Sequence, residues 1–432
     1  MVVLKLLIKN GHVVDARTGR NGIFDILVDE GKIAEIGKDL EVDSNCDYID
    51  ATGKYVVPGF VDAHCHLRDP GYEYKEDIES GSASAALGGF TSVACMPNTS
   101  PCIDNQEVVK YIINKAKQEA YVNVYPIGAI TKGQKGEELS EIGELKFAGA
   151  VAISDDGKPV KSSSLMKKAL QYASMFDITV ISHCEDLDLA EEGVMNEGYQ
   201  STIMGLRGIP SVAESIMVAR DLLLAEYTNA PIHIAHVSTE ASVALIRFAK
   251  KRGVKVTAET CPHYFSLTEE ACEGFNTMAK VNPPLRTKRD VEAIIQGLKD
   301  GTIDVIATDH APHHEDEKNV EFNMAASGMV GFETALSLIV TNLVNPGILT
   351  IEQVVEKMCL NPSRILGLNK GVLEVGRTAD ITIFDINEER VIDVSKFRSK
   401  SKNSPFDKFK LKGAVYHTIV NGKVVVREKV LL

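Results

Sequence analysis

VVPGFVDAHCHL, residues 56–67, is an apolar run that closes on two histidines two positions apart, His64 and His66. Unbroken apolarity of this length suits a strand buried on both faces, as in a parallel sheet. Alternate residues of a strand point the same way, so both imidazoles leave the chain on one side and can reach one ion. For zinc that reach is about 2.0–2.1 Å. A His-x-His pair by itself reads more readily as two surface or packed histidines than as a metal site. Its place at the end of a buried strand is what gives it meaning.

Seven further runs of the same kind follow: FTSVACMPN (90–98), VNVYPIGAI (122–130), GAVAISDD (149–156), ITVISHCE (178–185), PIHIAHVS (231–238), VKVTAETCPH (254–263) and IDVIATDHAP (303–312). Segments with helical apolar spacing lie between them, among them SLMKKALQYASMF and RDVEAIIQGL. Eight β/α units predict an α/β fold of the TIM-type (β/α)8 barrel, whose chemistry sits at the carboxyl ends of the strands. Those ends carry His64, His66, Asn98, Asp156, His183, His236 and Asp309. A purely structural barrel has no need of such polar groups at one rim.

The two ends of the chain differ from the middle. LKLLIKNGHVVDA and GIFDILVDEGKIAEIG, then TADITIFDINEERVID and GAVYHTIVNGKVVVREKVLL, are short β-rich runs. Asn10-Gly11 and Asn421-Gly422 each predict a tight hairpin turn, because both residues tolerate positive φ. The reading is three segments: residues 1–55 and 369–432 build one small composite β-sandwich domain, and residues 56–368 form the catalytic barrel.

The 432 residues are 44% hydrophobic, enough for a large core, and the net charge is -13. That acidity disfavours nucleic acid and anionic membranes as partners. Eight cysteines without a C-x-x-C pair suit a reducing compartment. With no signal-peptide architecture and no apolar stretch near the roughly 20 residues of a membrane span, a soluble cytoplasmic protein is expected.

His183 and His236 each close a strand. The ordinary reading of one such histidine is a satisfied core residue, but four imidazoles at one rim point to ligation. Asp155-Asp156-Gly157 is by default a turn; in a barrel one of the two carboxylates faces the histidines and could bridge two cations about 3.5–4 Å apart. Either aspartate fits that description. Asp309, by default a cap, fits a carboxylate that stays ionised beside cations, accepts a proton from water and passes it to a leaving nitrogen. Arg68, Asn98, Asn282 and His313 read by default as surface or turn residues. As a set they suit an anionic substrate, since a guanidinium fork matches a carboxylate. Arg286 reads as a helix-start or surface residue. The segment from His313 to Gly331 reads as a loop with a short helix over the rim.

The stretch PGFVDAHCHLRDPGYEYKEDIESGSASAALGGFTSVACMPNTSP (58–101) resembles the cyclic amidohydrolases of the amidohydrolase superfamily, most of all the bacterial class I dihydroorotases. VAISDDGKPV, VISHCED, PIHIAHVST, AKVNPPLR, DVIATDHAPHHEDEK, NPSRILGL and GRTADITIFD extend the resemblance across the chain. It implies that His64 and His66 hold the more buried metal, that Asp156 is a ligand bridging two metals, and that His183 and His236 hold the second. Asp309 is implied as ligand and general base and acid. Arg68 and Asn98 are implied at the substrate carboxylate, with Asn282 and His313 as further substrate contacts. The implied reaction is reversible hydrolysis of (S)-dihydroorotate to N-carbamoyl-L-aspartate by water activated at one or two Zn2+ per subunit. A homodimer, and association with aspartate transcarbamoylase, are implied as well. SDDG carries no lysine where hydantoinases and allantoinases usually place a carboxylated one. AETCPHYF (258–265), in contrast, is closer to those enzymes. The alternatives are therefore an allantoinase or hydantoinase-like enzyme, or a non-catalytic partner of aspartate transcarbamoylase. Such partners usually lack some ligands, and this chain keeps all of them.

Overall fold

All eight expected runs contain strands: Phe60–Cys65, Phe90–Cys95, Asn123–Pro126, Ala152–Ser154, Thr179–Ser182, Ile232–Ile234, Val256–Thr260 and Val305–Ile306. The structure is a computed structural model that describes residues 5–41 and 46–432. Leu4, which opens the expected strand LKLLIKN, lies outside the described residues. The first three of the eight strands form one parallel sheet and the other five a second, in chain order. Parallel bridges from Gly128 to Ile153 and from Cys65 to His310 link the two sheets at both edges. Each strand therefore lies beside its neighbours in sequence.

Parallel neighbours need crossover connections, and helices supply them. The helix Ser163–Ser174 starts where the Ser162 side chain accepts from Leu165 N, and it buries Met166, Ala169, Leu170 and Ala173, one helical face. The helix Lys288–Lys299 opens with a capping box between Thr287 and Asp290. Val61, Ala63, Ala94, Met96, Ile127, Ala152, Ile181, Ala235, Val305 and Ala307 form one buried cluster from alternate strand positions. Phe60, Val93, Val124, Ile153, Val180 and Ile232 pack against the helices in another. Burial on both faces is why these strands read as mostly apolar runs without a polar alternation.

Two expectations need correction. VVPGFVDAHCHL is not one strand. Tyr55–Pro58 pairs with Leu6–Asp15 and Ile381–Val391, and only Phe60–Cys65 joins the parallel strands. The chain changes sheets at Gly59, where a Cβ would sit 2.1 Å from Thr91 Oγ1. Both pieces are buried, so apolarity alone does not show the break. Asn10-Gly11 is not a hairpin. Asn10 takes φ 58 inside the continuous strand Leu6–Asp15, and the register with Arg20–Asp29 shifts there as a bulge. A Cβ on Gly11 would meet Val56 Cγ2 at 2.3 Å. Asn421-Gly422 does form the expected turn: Val420 pairs with Lys423, with φ 51 and 78 between them.

A nine-stranded sheet gathers strands from Leu6–Asp15 to Tyr55–Pro58 and from Ile381–Val391 to Val430–Leu431. Its core includes Ile8, Val13, Ile26, Ile33, Val56, Ile381, Ile383 and Ile419. All eight cysteines are free. Among the described residues no helix is long and apolar enough to cross a membrane.

Candidate metal centre and substrate cavity

The strand ends bring the four imidazoles and two carboxylates together. Asp156 follows the strand Ala152–Ser154 and stands between the histidines. Its Oδ1 lies 3.4 Å from His64 Nε2, 3.4 Å from His183 Nδ1 and 3.3 Å from His236 Nε2, and its Oδ2 lies 3.5 Å from His66 Nε2. Asp309 Oδ1 lies 3.1 Å from His66 Nε2 and 3.5 Å from His64 Nε2. Asp155 turns away, accepting from the backbone and hydroxyl of Thr131. Of the two adjacent aspartates, only Asp156 faces the histidines.

The backbone works to aim these groups. His236 and Asp309 take φ 30 and 46, and Arg68 takes φ 60, values unfavourable for residues with a Cβ. Such strain persists where surrounding structure over-determines it. Burial opposes ionisation of Asp156, but the imidazoles of His64, His183 and His236 outweigh it and hold the carboxyl well below its ordinary value. At Asp309 burial is likewise outweighed, by His64 and His66.

The hydrogen bonds behind His64 and His66 engage Nδ1 of each and turn its Nε2 toward the centre. His64 Nδ1 lies 2.6 Å from Glu259 Oε1, and His66 Nδ1 lies 2.9 Å from Asn98 Oδ1. An imidazole that donates from Nδ1 presents an Nε2 lone pair, the arrangement that orients a metal ligand. His64 Nε2 is buried with no hydrogen-bond partner. His183 Nδ1 and His236 Nε2 stand 2.8 Å apart, both directed at Asp156. Converging lone pairs with two carboxylates fit a divalent cation, and the donor set is nitrogen and oxygen, as zinc accepts.

A cavity of about 280 Å³ opens over this cluster, lined by His66, Arg68, Asn98, Asp156, His183, His236, Asn282, Asp309, His313, Ser327 and Gly328 among others. Every expected site residue except the deeper His64 reaches it. Arg68 is buried; its Nε donates to Pro312 O and its Nη2 lies 3.3 Å from His313 Nε2, so its nearest partners are not carboxylates. Burial pulls the guanidinium down from its ordinary value, while Asp309 and Asp156 favour its charge. Asn282 Nδ2 donates to Glu185 Oε2, which leaves its Oδ1 buried and unpartnered.

The chain matches the family model described as Dihydro-orotase-like over residues 53–242. It is 78% identical over 427 residues to a dihydroorotase of Acetivibrio thermocellus, covering 99% of this chain and 100% of that one. The chain belongs to the dihydroorotase family. A second dihydroorotase, from Ruminiclostridium cellulolyticum, is 70% identical over 429 residues, with 99% and 100% covered. Among solved structures, the L-hydantoinase (dihydropyrimidinase) from Arthrobacter aurescens is similar at TM-score 0.89 and 30% identity, covering 99% of this chain and 97% of that one. A dihydropyrimidinase from Brevibacillus agri is similar at TM-score 0.88 and 25% identity, with 99% and 96% covered.

Three residues of this dihydroorotase-family site escape the sequence reading. Glu259 holds both His64 and His233, and the two imidazoles keep its carboxyl low against its burial. The signal for it is chemical: a metal-facing histidine needs an acceptor on its other nitrogen, and Glu259 is the one acid of a buried strand. Glu185 sits two residues after His183 and lies 3.5 Å from its Nε2. Arg286 is not a surface residue. It is buried, donating to Asn196 Oδ1, Ile209 O and Ser238 Oγ, and so ties the loop that carries Asn282 to its neighbours.

Proposed function

We propose that the chain catalyses the reversible hydrolysis of (S)-dihydroorotate to N-carbamoyl-L-aspartate. The observation that carries this reading is Arg68: a buried cation without a carboxylate partner, in the same cavity as a cluster of metal-type ligands. A buried charge needs an opposite charge, and the exocyclic carboxylate of dihydroorotate supplies one. A neutral ring such as dihydrouracil leaves Arg68 unpaired, and this weighs against the hydantoinase-like reading despite the similar structures. Kinship to dihydroorotases over nearly the whole chain supports the same substrate. The complete ligand set weighs against a non-catalytic partner.

His64, His66, Asp156, His183, His236 and Asp309 are the residues that would hold one or two Zn2+, with Asp156 between the histidine pairs. Bound there, the metal supplies Lewis acidity, acidifying water and polarising the ring carbonyl. Arg68 and the Asn98 amide clamp the carboxylate and orient the ring. Asn98 also fixes the tautomer of His66. Asn282 Oδ1 and His313 contact the ring itself. Asp309, kept ionised, takes the proton from water and delivers it to the departing ring nitrogen; in ring closure it runs the other way.

The parallel pairings and their two bridges support a closed (β/α)8 barrel over residues 56–368. The nine-stranded sheet supports a composite β-sandwich from residues 1–55 and 369–432, with the strand Tyr55–Pro58 extending it three residues past the expected boundary. The chain is further read as a cytoplasmic homodimer able to associate with aspartate transcarbamoylase, to be checked by sedimentation alone and with that partner. Side-by-side assays on dihydroorotate, allantoin and dihydrouracil test the substrate. Selective opening of dihydroorotate is expected; preference for either neutral ring contradicts the reading.

A further inference from the structure

We propose that Asn403 and Lys318 are positioning residues of the substrate cavity, fixing His313 and Gly328 from behind its wall. The inference rests on the reading of that cavity given above. Asn403 belongs to the tail segment that precedes the strand Lys410–Val420, far in sequence from the strand ends, yet it is buried against the rim. Its Oδ1 accepts from His313 N at 3.1 Å, and its Nδ2 donates to Ala311 O and to Gly328 O, each at 3.0 Å. Its own carbonyl accepts from Val330 N. One carboxamide thus spans both sides of the wall.

Lys318 closes the short helix Glu315–Lys318 and is 1% exposed. Its Nζ donates to Gly328 O at 3.0 Å, Ala326 O at 2.7 Å and Lys280 O at 3.3 Å. Every partner is a backbone carbonyl. A methionine would fill the same space without the cost of burying an ammonium. What the lysine adds is three donors for the carbonyls of a segment with no regular pairing. Gly328 O is held by both side chains, and Gly328 N donates to Lys280 O. At φ 143, with a would-be Cβ 2.8 Å from that of Ala311, this glycine packs directly on the strand-end loop. His313 in turn touches Ser327 O at 2.9 Å and Arg68 at 3.3 Å. The segment read from sequence as a loop over the rim is therefore pinned, and the residues facing substrate inherit their positions from it.

The test uses the metal-loaded full chain carrying Asn403→Ala, Asn403→Asp or Lys318→Met. Asn403→Asp keeps size and the acceptor for His313 N while losing both donors, so it stays informative if the alanine variant does not fold. Steady-state kinetics on dihydroorotate, calorimetric binding of orotate and metal content are read together. The expected result is a KM and an orotate Kd raised more than about fivefold, with kcat within about threefold and metal unchanged. In the Asn403→Ala/Lys318→Met double variant the two effects combine less than additively, because both side chains hold Gly328 O. A KM and Kd within about fivefold of the unaltered chain overturn the inference, and so do additive effects in the double variant. An unaltered chain that opens no dihydroorotate overturns the proposed function instead, and orotate binding still decides the positioning claim.

Discussion

His64 Nε2 stands at the centre of the site, buried, unpartnered and faced by oxygens of Asp156 and Asp309. A buried nitrogen in that position is costly unless something fills it, so the roles of its neighbours can be tested singly. Asp309→Asn keeps a ligand-shaped side chain and removes the base: kcat should fall about 10²–10⁴-fold with metal content retained. Turnover near the unaltered level would remove Asp309 from that role. Arg68→Met should lower kcat/KM for dihydroorotate by about 10²-fold or more, since the pair it would make is charge-assisted, and leave any slow opening of dihydrouracil untouched. Glu259→Gln weakens the hold on His64 Nδ1 and should reduce metal affinity about 10–100-fold, read by competition with a chelator. The four clustered histidines were legible in the sequence because each closes an apolar run. Glu185 and Arg286 were not, because nothing local distinguishes a buried charged side chain from a solvated one, and Glu259 shows only as the lone acid of an otherwise uncharged strand.

Strands and turns show where pattern reading succeeds and where it stops. Eight two-sided strands announce themselves by continuous apolarity, and the helices between them by spacing and caps. The choice between Asp155 and Asp156 was invisible, because it depends on which way a turn rotates after the strand Ala152–Ser154. The change of sheet at Gly59 was hidden for a different reason: Tyr55–Pro58 and Phe60–Cys65 are equally apolar. Asn10-Gly11 carries a hairpin's chemistry but uses the same positive φ for a bulge. That bulge gives an element-level prediction. Gly11→Ala drives a Cβ into Val56, and overpacking of this kind costs about 1–3 kcal/mol. A lower urea midpoint is expected, with kcat and KM unchanged because the bulge lies in the terminal sheet. An unchanged midpoint would mean that Val56 yields without strain.

Across the whole molecule the six ligand-type residues come from five strand ends between positions 64 and 309, and the tail returns through Asn403 to close their cavity. The parallel strands set distances, the terminal segments finish the wall, and a bound cation would join the strand ends. Metal content measured alongside dihydroorotate turnover, on chain stripped by chelator and then titrated with zinc, tests this most directly. Turnover should vanish on stripping and return in step with bound zinc, saturating at one or two ions per chain. Undiminished turnover in metal-free chain, or bound zinc that restores none, would contradict the account.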